Sequence, residues 1–167
     1  MPAFNKGTLS GNMVHTLKAP VDFNSGTTTD VVNMANYNHA CIIIPCGAMA
    51  GATTVTLLAC DDNTPSTYTA IKFNYRQVTD GAGATDTWGA KTACASTGLA
   101  LSTANQTTVI ELDANELQTE TVQTLGVANR SRFQLNFSNP SGADIMCVVV
   151  VLSEPRYASQ TPQTCID

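Results

Sequence analysis

The sequence predicts an all-β domain of seven or eight antiparallel strands in two packed sheets, and three observations carry that prediction. Charged residues make up 13% of the 167-residue chain while hydrophobic residues reach 43%. Polarity comes instead from Thr, Ser, Asn and Gln, a mixture that disfavours long surface helices and suits strands. Short apolar or alternating runs recur with Gly, Pro, Asn and Asp between them, the pattern of a sandwich or barrel. Toward the C-terminal end, Ile145 to Leu152 are consecutively apolar and stop at Ser-Glu-Pro. Such a run suits a strand covered on both faces and falls far short of the roughly 20 residues that span a bilayer.

Along the chain, Asn12 to Lys18 and Thr28 to Met34 carry mixed strand signals. Ala40 to Ile44 is an apolar run ended by Pro45, and Thr53 to Cys60 starts after the small-residue turn Ala50-Gly51-Ala52. From Tyr68 to Arg76 the residues alternate, which assigns Thr69, Ile71, Phe73 and Tyr75 to the core face. Thr107 to Leu112 comes next, then Arg132 to Ser138, where Phe133, Leu135 and Phe137 alternate with polar neighbours. Asn139-Pro140-Ser141-Gly142 is a strong turn signal, predicting that this strand and the final apolar one form an antiparallel hairpin.

Between these runs, Asp113-Ala114-Asn115-Glu116 has the spacing of a capping box and reads as one helical turn with Leu117 and Leu125 toward the core, the alternative being an irregular connection. Residues 77–106 are small and polar and read as one long loop, which holds the chain's only tryptophan, Trp88. Loops beyond about 12–15 residues are uncommon unless functional or mobile. Trp88 is therefore either a cap on the edge of the core or an exposed anchor for a partner. The domain boundaries read as an N-terminal arm 1–12, a sandwich domain 13–152 and a C-terminal tail 153–167. Pro155 and Pro162 keep that tail from continuing a central strand. Phe4 in the arm, and Pro155, Arg156 and Tyr157 in the tail, are expected to touch neighbouring chains.

The bulk numbers narrow the chemistry. A net charge of −5 with eight scattered Lys and Arg argues against a nucleic-acid binder, which needs clustered cations. The six cysteines (Cys41, Cys46, Cys60, Cys94, Cys147 and Cys165) form no C-x-x-C pair and accompany only two histidines, so neither a metal site nor any other cofactor is expected. Free thiols are expected, with Cys41 and Cys147 as small core hydrophobes. The opening Met-Pro-Ala-Phe-Asn-Lys-Gly-Thr lacks the regions of a signal peptide, which predicts synthesis in a cytoplasm and no membrane association. No catalytic constellation stands out. His15 and His39 have no positioned nucleophile beside them, Asp61-Asp62-Asn63 lacks the spacing of a calcium loop, and Asp113 with Glu116 reads as a cap. The chain reads as a structural or binding protein, not an enzyme.

A family resemblance rests on three stretches. They are Glu111-Leu-Asp-Ala-Asn-Glu-Leu117, then Arg132-Phe-Gln-Leu-Asn-Phe137, then Val148-Val-Val-Val-Leu152 closing on Pro155-Arg-Tyr-Ala158. Together, and with Thr54 to Cys60, they resemble small tailed-bacteriophage virion proteins over roughly residues 40–158. The resemblance implies a jelly-roll-like β-sandwich that decorates a phage head as a capsid decoration (cement) protein. On that reading it sits on the capsid exterior, binds the major capsid protein and forms a homo-oligomer, trimer or dimer. Two other classes compete. A receptor- or carbohydrate-binding spike or tail module would use Trp88 and Tyr75 as stacking platforms. A small enzyme on the same fold would have only Asp61, Asp62, His39 and Glu116 to work with.

Overall fold

The computed structural model describes residues 12–78, 87–124, 130–140 and 142–156. The first half contains β1 (Met13–Asp22), β2 (Thr27–Thr28), β3 (Val32–Asn33), β4 (Tyr37–Met49), β5 (Thr53–Cys60), β6 (Tyr68–Ile71) and β7 (Phe73–Gln77). The second half contains β8 (Thr92–Cys94), β9 (Leu99–Leu101), β10 (Thr107–Asp113), the helix α1 (Ala114–Gln118), β11 (Arg132–Phe137) and β12 (Asp144–Pro155). The larger sheet is ordered β1-β12-β4-β10-β7-β8 and the smaller β2-β11-β5-β6, with β3 also on β11 and β9 also on β5. Each pairing is antiparallel.

The order is that of a jelly roll. β2 with β3 fills one strand position beside β11, and β6 with β9 fills another beside β5, one at each end of that strand. Counted so, and setting aside the β7–β8 hairpin, one sheet runs first-eighth-third-sixth and the other second-seventh-fourth-fifth. Those are the interlocked Greek keys of a two-sheet jelly roll. The predicted sandwich is therefore present, with a hairpin added to the edge of the larger sheet.

The core lies between the sheets and follows the period-2 alternation of the sequence. β12 turns Met146, Val148, Val150 and Leu152 inward, and β4 adds Ala40, Ile42 and Ile44. Val55 and Leu57 of β5 and Phe133, Leu135 and Phe137 of β11 meet them from the smaller sheet. Phe23, just past β1, packs edge-on against Phe137 at 4.9 Å between centroids, tying the two sheets at one end; such aromatic pairs add about 0.5–1.5 kcal/mol beyond their buried area.

Several expectations are corrected. β11 and β12 are consecutive but lie in different sheets, so Asn139-Pro140 reverses the chain between layers and makes no hairpin. A turn signal marks a reversal without saying which sheet receives the next strand. The stretch 77–106 is not one loop: β8, β9 and an isolated bridge between Val78 and Trp88 lie within it. The alternating run from Tyr68 to Arg76 is one continuous pattern, yet it changes sheets at Lys72, pairing β6 with β5 and β7 with β10. Pro45 does not end its strand. It sits at the rung facing Thr107, the first residue of β10, between the Ile43–Val149 and Cys46–Met146 pairs, where one missing N–H is tolerated. Nor does Pro155 end the sandwich domain early, because β12 pairs with β4 up to Pro155–Tyr37.

The helical turn forms as expected. Glu116 reaches back to accept the Asp113 N–H at 3.3 Å, and Leu117 is fully buried. Leu125 lies outside the described residues. After α1 the chain continues into a π-helical turn, Thr119–Thr124. The Thr121 hydroxyl donates to the carbonyls of Leu117 and Gln118 at 2.9 and 3.1 Å, competing with the backbone donor that an α-helix would supply there.

Candidate functional site: the outer face of the larger sheet

The larger sheet turns its second face outward, and the strand register makes that face unusually apolar. On β12 the residues between the core positions are Ile145, Cys147, Val149 and Val151. Cross-strand partners share a face, so rows can be followed across the sheet. One row runs Val14, Val151, Cys41, Glu111, Asn74, Ala93. The next runs Thr16, Val149, Ile43, Val109, Arg76. At its centre, Val149, Ile43 and Val109 are half-buried. Val14 is 50% exposed and Ile145 46%.

Trp88 continues this face. Pro45 pairs with Thr107, the Thr107 carbonyl accepts the Val78 N–H at 3.0 Å, and Val78 bridges to Trp88. By strand alternation Val78 falls on the same side as Arg76, so Trp88 stands there too, 52% exposed. Arg76 is held beside it by a contact of Nη1 with the Gly89 carbonyl at 3.4 Å. Trp88 is thus not a buried cap on the core edge.

The opposite end of the face is polar. His39 pairs in register with Asp113 on one side and Ser153 on the other, and its Nδ1 lies 2.8 Å from Asp113 Oδ1. A Ser-His-Asp row is a familiar catalytic set, but here the Asp113 side chain is 56% exposed. No hydrogen bond joins Ser153 to His39 among the described residues. The row is therefore read as a polar rim, extended by Lys91 Nζ at 3.9 Å from Glu111. An apolar centre inside a polar border is the anatomy of a protein–protein interface.

Of the other predicted residues, Phe4 and Tyr157 lie outside the described residues. Pro155 is half-buried at the end of β12. Arg156 is exposed but tethered: its backbone N–H donates to the Asn36 carbonyl at 3.0 Å, and its Nε donates to Asn38 Oδ1 at 2.9 Å. Glu154, immediately before Pro155, has φ of 56°, a left-handed conformation costly for a non-glycine residue. Asp61 and Asp62 sit in the turn after β5 of the smaller sheet, whereas His39 lies on β4 of the larger one. A hydrogen bond from the Thr67 side chain holds the Asp61 carboxyl below its ordinary range, with the Arg130 charge adding to it. Tyr75 faces the other way from Trp88, packing toward the core, so the two do not form one stacking platform.

Cys41 and Cys147, expected in the core, are half-buried on the outer face instead, while Cys46, Cys60 and Cys94 are buried. An apolar run hides which of its alternate residues point inward. All five are free thiols, and Cys165 lies outside the described residues. Among the described residues no cluster of three or more His, Cys, Asp or Glu side chains could hold a metal ion, and no helix is long and apolar enough to cross a membrane.

The fold is a jelly-roll domain whose larger sheet carries an outer face with an apolar centre. No protein-family model matches the chain, and no curated protein does. Among solved structures it is similar to the SPBc2 prophage-derived protein YomS, with 11% identity, coverage of 85% of this chain and 93% of that one, and a TM-score of 0.47. It also overlaps a chain in the structure of infectious bursal disease virus Gt strain, with 11% identity, 84% of this chain, 39% of that chain and a TM-score of 0.20.

Proposed function

We propose that this chain is a virion structural protein, a decoration protein that docks on the assembled head of a bacteriophage through the outer face of its larger sheet. The observation that carries the reading is the row Thr16-Val149-Ile43-Val109-Arg76 with Trp88 beyond it. A sheet face of this composition gains by being covered, at roughly 25 cal/mol per Å² of apolar area removed from water. The sequence resemblance to phage virion proteins supplies the identity of the surface it covers, the major capsid protein. Repetition on a symmetric shell then multiplies modest contacts. The same apolar face suits self-association into a trimer or dimer before or during docking. No catalytic role, cofactor, nucleic acid or membrane is part of this function.

The test is the copy number of the protein in purified particles, measured against the major shell protein by quantitative mass spectrometry. Decoration predicts copies of the same order as the shell protein. A handful of copies would move the protein to a receptor-binding spike or tail, and complete absence from particles would overturn the virion reading.

A further inference from the structure

A cleft of about 370 Å³ opens where α1 and the π-helical turn meet the β7–β8 hairpin. Its floor includes Phe73 and Cys94, both buried. Glu116 and Glu120 line one wall and Lys72 another. The helical segment is locked in place by Leu117 and Thr121, both fully buried, which sets Glu116 and Glu120, four residues apart, on the side away from the core. Like charges at this spacing repel. Neither carboxylate has a cation within ion-pair distance among the described residues, where the ion pairs are His39–Asp113 and Lys91–Glu111. Among the described residues Glu116 accepts the Asp113 backbone N–H. Lys72 offsets one of the two charges, leaving the cleft net negative over an apolar floor.

We infer that this cleft receives an arginine side chain from a partner protein, its guanidinium bridging Glu116 and Glu120 and its stem lying on the floor formed by Phe73 and Cys94. A planar guanidinium presents donors to two carboxylates at once, while its methylenes cover apolar surface. Arginine is also among the commonest anchors at the centre of interfaces. Asn74 and Ala93, which line the cleft, are the last two residues of the row that begins at Val14, so a chain seated on the outer face reaches the cleft without leaving the protein surface. The inference deepens the docking reading and rests on it for the partner's identity alone; the chemistry of the cleft is testable without any particle.

The experiment titrates the purified full chain with N-acetyl-arginine amide, following backbone amide NMR shifts at Asn74, Ala93, Asn115, Glu116, Thr119 and Glu120. Concentrations to about 10 mM cover the millimolar Kd expected of a single anchor residue. Saturable shifts confined to these residues are expected. They should weaken at least about tenfold in Glu116→Gln/Glu120→Gln, and Glu120→Gln alone should weaken them less. Removing the repelling ammonium in Lys72→Gln should tighten binding roughly two- to fivefold, while Lys18→Gln, the same charge change on β1, leaves it unchanged. The absence of shifts, or equal shifts with N-acetyl-norleucine amide, would overturn the site. Putrescine binding as tightly as the arginine probe would overturn the assignment to a protein side chain in favour of a free diamine. None of these outcomes bears on copy number in particles, so the two readings fail separately.

Discussion

The Asp144 carboxylate, fully buried at the start of β12, accepts the backbone N–H of Gly51 at 2.9 Å. It takes the Ala50 N–H as well, at 2.7 Å. Its own backbone donates to Asp22 Oδ1 at 3.1 Å and accepts from the Phe23 N–H at 2.9 Å. One residue thus joins the end of β1, the β4–β5 turn and the first rung of β12. Gly51 is required there because a Cβ would collide with the Pro140 carbonyl oxygen.

Asp144→Ala takes the acceptor from the part-buried Ala50 and Gly51 N–H groups and is expected to destabilise the protein by about 1–3 kcal/mol. Asp144→Asn keeps a carbonyl acceptor and should cost less. Urea unfolding monitored by circular dichroism measures both. A loss below about 0.5 kcal/mol for Asp144→Ala would show that the turn holds without the carboxylate.

Stability is expected to fall under alkaline conditions. Burial pushes the Cys46 thiol up to about 11, with the Asp144 and Cys147 charges adding to it. Burial likewise pushes Cys60 up to about 11, against the pull of Arg130. The unfolded chain releases these protons near the ordinary value of 9.0, the folded chain only near 11. The contribution is therefore complete below pH 9 and is lost as pH rises to 11, at a cost of about 2–3 kcal/mol per thiol. Thermal melts across that window should show Tm falling, and Cys46→Ala/Cys60→Ala should flatten the fall. An unaltered slope in the double variant would contradict this origin.

On the outer face, Val149→Lys places a charge at the centre of the apolar rows without touching the core. Unfolding free energy should change by no more than about 1 kcal/mol. Light scattering at micromolar concentration should then find the variant monomeric where the natural chain self-associates. Identical masses for the two would remove this face from self-association.

Trp88 gives a direct optical report, being the only tryptophan and about half exposed. Its fluorescence should shift to shorter wavelength when the protein binds its partner surface, and Trp88→Ala should weaken that binding at least about tenfold, as for a central aromatic anchor. An unshifted emission in the bound state would place Trp88 outside the interface.

Much of the fold was legible because alternation is written in residue type. Phe133, Leu135 and Phe137 announce a half-covered strand, and Ile71 and Phe73 are buried where their period places them. The capping box at Asp113 and Glu116 was equally plain. Layer assignment was not legible, since Asn139-Pro140 and Lys72 mark where the chain turns or bends but not which sheet it joins next. The short β8 and β9 were hidden in a small-residue stretch because three-residue strands are held by their neighbours, with little pattern of their own. The outer face of the larger sheet was half legible: the run from Ile145 to Leu152 signalled an apolar second face, while its partners Ile43, Val109 and Trp88 came together only through register. Cys41 and Cys147 were misplaced for the same reason, a continuous run carrying no phase.

Docking of the larger sheet's outer face on an assembled shell can be measured as a binding isotherm. The purified chain is titrated onto phage heads that lack it, beside Val149→Lys. Saturation is expected at copies of the same order as the shell protein, with a loss of affinity of at least about tenfold in the variant. Equal binding by the two proteins, or no binding to heads by the natural chain, would contradict docking through this face.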